Sequence, residues 1–175
     1  HSGTHRQAVK LKQERELLGR YLQGLSGRNM QIRSSSHPHT DTESVYLPEV
    51  INYFSDRKSN RLVLKAMATH LWGMNRFGTF KRATPDAPGL EQRLSELPDN
   101  ANKMSIFHAL EAERINACIS RELPGLKREL NDLSGIPKHD ATWQTAIDVL
   151  SLPTSTIDDT LKWTRLFLKR GKESI

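Results

Sequence analysis

From Arg57 to the end of the chain, apolar residues recur three and four positions apart, and most such runs stop at proline or glycine. This pattern constrains the fold more than any composition value. A 3.6-residue period lines apolar side chains along one helix face, where a period of two would mark a strand. A long helix is predicted over 57–74, capped by Ser55 or Asp56, with Leu62, Val63, Ala66, Met67, His70 and Leu71 as its inward stripe. "TPDAPG" (84–89) breaks the chain between its halves. "LEQRLSEL" reads as a helix stopping at Pro98, and "NANKMSIFHALEAERINACISREL" as a long one from about Asn100 to just before Pro124-Gly125. "LKRELNDL" is a short helix closed by Gly135. "DATWQTAIDVLSL" and "STIDDTLKWTRLFLKR" are the last two, separated by Pro153. The final helix is expected to be capped at Ser155. Asp158 and Asp159 in its first turn and Lys169 and Arg170 in its last both suit the helix dipole.

Ahead of residue 57 the pattern is mixed. His5 to about Leu25 reads as helix, with Val9, Leu11, Leu17, Leu18, Tyr21, Leu22 and Leu25 on a broad apolar face, a Glu16–Arg20 pair on its surface and Gly27 as its stop. "NMQIRSSS" (29–36) and "ESVYLP" (43–48) alternate apolar and polar residues across the turn-rich "HPHTD", which predicts a β-hairpin. Two strands alone are marginal, so this hairpin must lean on a helix. Pro48 is placed to open a short helical turn, "PEVINYF". His1 to Thr4 carry no pattern and read as an expression remnant. The expected fold is mainly α: a single helical domain over 5–175 with a small β-hairpin near 29–48 and a sub-boundary near 84–89.

The chain carries a formal net charge of +6. Residues 1–88 hold 14 Lys/Arg against 7 Asp/Glu, and residues 89–175 hold 12 against 13, so the basic excess lies in the first half. Such a surface suits an acidic partner, protein or nucleic acid. No nucleic-acid motif and no aromatic ladder accompanies the charges, which weighs against nucleic acid. No apolar run approaches a membrane span, and no signal peptide opens the chain, so no membrane partner is expected. The single cysteine, Cys118, excludes an internal disulfide framework and a thiolate zinc cage. It sits among Ile115, Ala117 and Ile119 as a small hydrophobe, and a reducing cytoplasm fits.

Few residues point to chemistry. His37, His39 and Asp41 are of the types that bind zinc, yet zinc needs three or four converging ligands and no second cluster is evident. Phe77-Gly78-Thr79-Phe80 is no phosphate loop: one glycine follows a helix, at the wrong end of the dipole. Gly73 and Gly78 are expected to supply turns while Phe77 and Phe80 pack down. The competing reading is a binding lip, with Trp72, Phe77 or Phe80 as anchor and Arg76, Lys81 and Arg82 as its rim. Glu111 and Arg114 are spaced for an intrahelical pair. If Arg114 faces inward among Phe107, Leu110 and Cys118, Glu111 is the carboxylate that would partner it. Paired acids also suggest acid–base work, but no nucleophile or metal site accompanies Glu111 and Glu113, so no catalytic residue, metal or cofactor is expected. His70 reads as a core-edge histidine, and Trp143 and Trp163 as core.

Taken together, "VYLPEVINYFSDRKSNRLVLKAMATHLWGMNRFGTF" (45–80) and "IFHALEAERINACISRELPGLKREL" (106–130) resemble the N-terminal region of the CbbO/NorD family. The matching features are Leu47-Pro48, Phe54, Arg57, Asn60, the long helix, Phe77 to Phe80, Leu110-Glu111, Arg114 and Pro124-Gly125-Leu126. The resemblance implies an adaptor of a hexameric MoxR-type AAA+ ATPase. In the CbbO branch the complex with CbbQ is a Rubisco activase, and in the NorD branch it serves maturation of nitric oxide reductase. Full members end in a von Willebrand factor A domain whose Asp-x-Ser-x-Ser loop binds a divalent metal. These 175 residues contain no such loop, and "DLSGI" and "SLPTST" do not supply its spacing. The chain is therefore expected to be an N-terminal fragment that docks the ATPase and reaches Rubisco only through the missing domain. A bacterial cytoplasmic location is implied, with carboxysome association open.

Overall fold

The computed structural model describes residues 7–131 and 140–173. The expression-remnant reading of 1–4, a helix start at His5 and the stop at Gly135 fall outside them. Among the described residues the chain forms five short strands and seven helices. It gathers into two compact units. One comprises the chain up to Asn75 and again from Leu123. The other runs from Arg76 to Glu122 and takes in the chain's end. The expected break at 84–89 lies inside the second unit.

In the first unit, β1 (Val9–Lys10) precedes α1 (Leu11–Ser26) and pairs antiparallel with β5 (Val50–Ile51). The predicted helix from His5 is thus too long at its start, because the apolar positions ran across a strand–helix junction. Val9 is buried as a strand residue and Leu11 as the first helical one. Lys10 offers no side-chain cap, and the strand pairing brings the Glu49 carbonyl to the Leu11 amide instead, at 2.8 Å. At the far end, Gly27 takes φ +71°, the left-handed turn that glycine adopts without cost, and its N–H donates to the Gln23 carbonyl.

The predicted hairpin is corrected in its pairing. β2 (Gln31–Ser34) lies parallel to β4 (Ser44–Leu47), and the antiparallel hairpin partner of β4 is β3 (His39–Thr40). The order is β2-β4-β3. Alternation fixes which face of a strand is buried and leaves its direction open. Here the two-residue β3 makes the return run, so β4 comes back parallel to β2. The helix expected from Pro48 is also absent: Val50 is exposed and Ile51 buried, the period of a strand.

Asp56 caps α2 (Arg57–Arg76), its Oδ1 accepting from the Ser59 amide at 2.8 Å. The inward stripe of α2 is Asn60, Leu64, Ala68, Leu71 and Trp72, offset from the predicted one. Leu62, Val63, Ala66, Met67 and His70 are half-buried. Gly73 supplies no turn and is buried within the helix. Buried Asn60 spends its whole amide on backbone: Oδ1 accepts from the Tyr53 and Phe54 amides, and Nδ2 donates to the Gln7 and Phe54 carbonyls, all between 2.7 and 3.0 Å. Helix α5 (Pro124–Asn131) returns to this unit, with proline at its first position.

The second unit holds α3 (Leu90–Ser95), α4 (Lys103–Glu122), α6 (Ala141–Leu150) and α7 (Ile157–Glu173). Phe107, Leu94, Leu97, Ile157, Leu161 and Leu168 form one cluster of its core, and Leu110, Ala146 and Leu150 another. Trp143 and Trp163 pack half-buried against the second cluster, each tilted against Phe167, and so border the core without entering it. The cap of α7 is Thr156, not Ser155. The Thr156 amide donates to Asp159 and its hydroxyl accepts from the Asp158 amide, while the Ser155 hydroxyl donates back to the Leu150 carbonyl.

Candidate functional site

Three places could carry function: the 76–82 segment, the Glu111–Arg114 pair, and a groove that the sequence did not announce.

Arg76 ends α2. Its guanidinium pairs with Glu122 at 3.2 Å and lies over the Phe77 ring, 5.7 Å from the centroid. Gly78 then takes φ +78°, and the Lys81 amide closes the turn on the Gly78 carbonyl at 3.1 Å. Phe77 is half-buried and Thr79 buried, whereas Phe80 is 38% exposed, so of the two aromatics only Phe77 packs down. Lys81 and Arg82 are exposed, and Arg82 reaches back to the Ala87 carbonyl at 3.4 Å. The segment thus presents Phe80 and Lys81 outward, with Arg76 and Arg82 held by local partners.

The expected Glu111–Arg114 pair is present and buried. Arg114 Nε and Nη2 donate to the two Glu111 oxygens at 2.5 and 3.2 Å, and Nη1 donates to the Phe77 carbonyl at 2.9 Å. The Thr160 hydroxyl donates to Glu111 Oε1 at 3.2 Å. Every Arg114 nitrogen has an acceptor, so the pair is a bolt between α4, α7 and the Phe77 turn. Its bonds are all committed to the fold, which suits anchoring rather than proton transfer.

His39 and Asp41 serve the β3–β4 hairpin, and the His37 carbonyl lies 2.8 Å from the His39 Nδ1. The His39 ring stacks on Tyr46, with centroids 4.1 Å apart. Asp41 Oδ1 accepts from the Glu43 and Ser44 amides at 2.9 and 2.7 Å, and Oδ2 from the Tyr46 hydroxyl. Among the described residues, no group of three His, Cys, Asp or Glu is placed to hold a metal ion. Backbone amides hold the Asp41 carboxyl below its ordinary pKa, and the Ser59 amide does the same for Asp56. Unfolding releases both groups to about 3.9, so on acidification the unfolded chain takes up protons first. Their stabilising effect is full above that value and is lost as pH falls through the lowered folded values. Asp41→Ala/Asp56→Ala is therefore expected to melt lower than the parent at pH 7 and to narrow the gap as the pH falls through the lowered folded values. Melting curves that keep a constant offset from pH 7 to pH 2 would refute this.

The groove lies in the first unit and has a volume of about 700 Å³. One wall is α1, with Glu14, Leu17, Arg20 and Tyr21. The other is α2, with Arg57, Lys58, Arg61, Leu62 and Lys65, and Glu129 of α5 closes one side. Leu17, expected inside, is 58% exposed here, and Leu62, also expected inside, is only half-buried. Glu14 is held by Arg61 at 3.1 Å and Arg57 at 3.8 Å, and Lys65 lies 5.2 Å from the Tyr21 ring centroid and 3.9 Å from Glu129. Burial raises the Tyr21 pKa, and its hydroxyl shares a 2.7 Å bond with Thr69. The signal in the sequence was the pair of cationic flanks bordering Leu17 and Leu62. No helix of the described residues is long and apolar enough to cross a membrane. Comparison of the chain with models of known families, with curated proteins and with solved structures gives no match.

Proposed function

We propose that this chain is the N-terminal part of a CbbO-type adaptor. It docks a hexameric MoxR-type AAA+ ATPase of the CbbQ kind, so that ATP hydrolysis there remodels inhibited Rubisco. In this reading the chain catalyses nothing itself, and Rubisco is gripped by a von Willebrand factor A domain outside these residues. The observation that supports it is where the features of the resemblance lie. Leu47, Asn60, Leu110, Glu111, Arg114 and Leu126 are all buried, and the Phe77 carbonyl is the third acceptor of Arg114. Arg57, Phe80, Pro124 and Gly125 of the same resemblance are exposed, so it joins a buried scaffold to surface positions that a partner can reach. The same features suit the NorD branch, where the client would be nitric oxide reductase.

The test is size-exclusion chromatography with light scattering on a mixture of this chain and the CbbQ-type hexamer. The expected result is co-elution at a mass above that of the hexamer, with fewer than one chain per ATPase subunit. Two separate peaks would overturn the proposal. The basic first half supports a second reading, a nucleic-acid-binding helical domain. Its mark would be DNA retention that falls steeply with salt and needs no ATPase.

A further inference from the structure

We propose that the groove between α1 and α2 receives an acidic amphipathic helix of a partner protein; that the partner is the ATPase rests on the adaptor reading above. Each helix buries one apolar stripe in the unit's own core, through Leu18 and Leu22 on α1 and Leu64 and Ala68 on α2. Leu17 and Leu62 are among the apolar residues left outside those stripes, and the fold brings both to the same groove. Two helices that each keep an apolar residue out of the core at one shared place make a floor that water covers poorly.

Charge selects the occupant. Five Arg or Lys side chains line the groove against Glu14 and Glu129, and Glu14 is already held by two guanidiniums. The excess lies along the α2 wall, where Arg57, Lys58, Arg61 and Lys65 follow one another, while Arg20, the one cation of the α1 wall, pairs with Glu16 at 2.7 Å; a row of cations on one wall matches several carboxylates at intervals, not a single anionic head group. Length selects the form. Arg57 to Lys65 spans about 12 Å at 1.5 Å per residue, which accommodates two turns of a helix. A helix with apolar residues at i, i+3 or i+4 and i+7 would set them on Leu17, Leu62 and the Tyr21 ring and point flanking Asp or Glu at the rim. The attraction at the rim acts mostly on association rate and partner choice, and the apolar floor on residence time.

The experiment is selection from a random 16-residue peptide library against the chain, counter-selected with the Leu17→Glu/Lys58→Glu variant. Both substituted side chains are exposed, so the variant is expected to melt within about 2 °C of the parent, and circular dichroism checks this first. Selected peptides should be acidic, carry apolar residues at helical spacing, and bind the variant at least tenfold more weakly by fluorescence anisotropy. Basic or unpatterned peptides, peptides that bind both proteins equally, or no enrichment at all would overturn the proposal. The same variant, mixed with the ATPase, separates the two claims. Loss of co-elution supports the groove as the docking face. Retained co-elution overturns the groove as the docking face of the ATPase and leaves the adaptor reading standing. Parent chain that binds acidic peptides yet never co-elutes with the ATPase supports the groove and overturns the adaptor reading.

Discussion

An Arg114→Met variant is expected to unfold with about 3–5 kcal/mol less free energy than the parent chain, read from urea denaturation. Arg114 is 1% and Glu111 2% exposed, so the substitution strands a carboxylate where water does not reach it. It also leaves the Phe77 carbonyl without its guanidinium donor. Most of the loss comes from the charge left behind, not from the attraction removed. Glu111→Leu/Arg114→Met, which takes away both charges, should therefore recover most of it. A single variant costing less than about 1 kcal/mol, or a double variant no more stable than the single, would show that the pair is not the buried bolt described above.

Asn60→Ala carries the second large effect, about 2–4 kcal/mol, because one truncation orphans the Tyr53 and Phe54 amides and the Gln7 and Phe54 carbonyls together. Asn60→Asp sharpens the test. It keeps the two bonds from the amides and turns a carboxylate oxygen toward two carbonyls, so it should be less stable at pH 7 than at pH 4, relative to the parent. An Asn60→Ala variant that melts within about 2 °C of the parent would mean that water replaces the side chain without loss.

The long helices were legible because their period repeats over enough residues to exclude other readings. Arg57–Arg76 and Lys103–Glu122 each begin and end within three residues of the predicted limits. The Glu111–Arg114 pair was legible from its three-residue spacing among apolar neighbours. Its third partner, the Phe77 carbonyl, was not, since a backbone acceptor 37 positions away leaves no trace in side-chain pattern. Two-residue strands such as Val9–Lys10 are too short for any period to register. Parallel pairing of Gln31–Ser34 with Ser44–Leu47 depends on a return strand between them that pattern does not reveal. The groove shows a different limit. Periodicity places Leu17 and Leu62 inside because a hydrophobic stripe drawn on a lone helix has no neighbour to bound it. The true boundary is set by which half of each stripe the other elements cover.

The first unit is interrupted in the chain: it stops at Asn75 and resumes only at Leu123, just before α5. On a ribosome, the segment carrying α1, α2 and all five strands emerges well before its last helix is made. The polypeptide must wait with the Lys65 side of the groove lacking Glu129 while the whole of α4 is synthesised. A truncation in the 84–89 loop, where punctuation invites a cut, would make that waiting state permanent. It would release a fragment that has every strand of the described residues and still lacks the piece that finishes the unit.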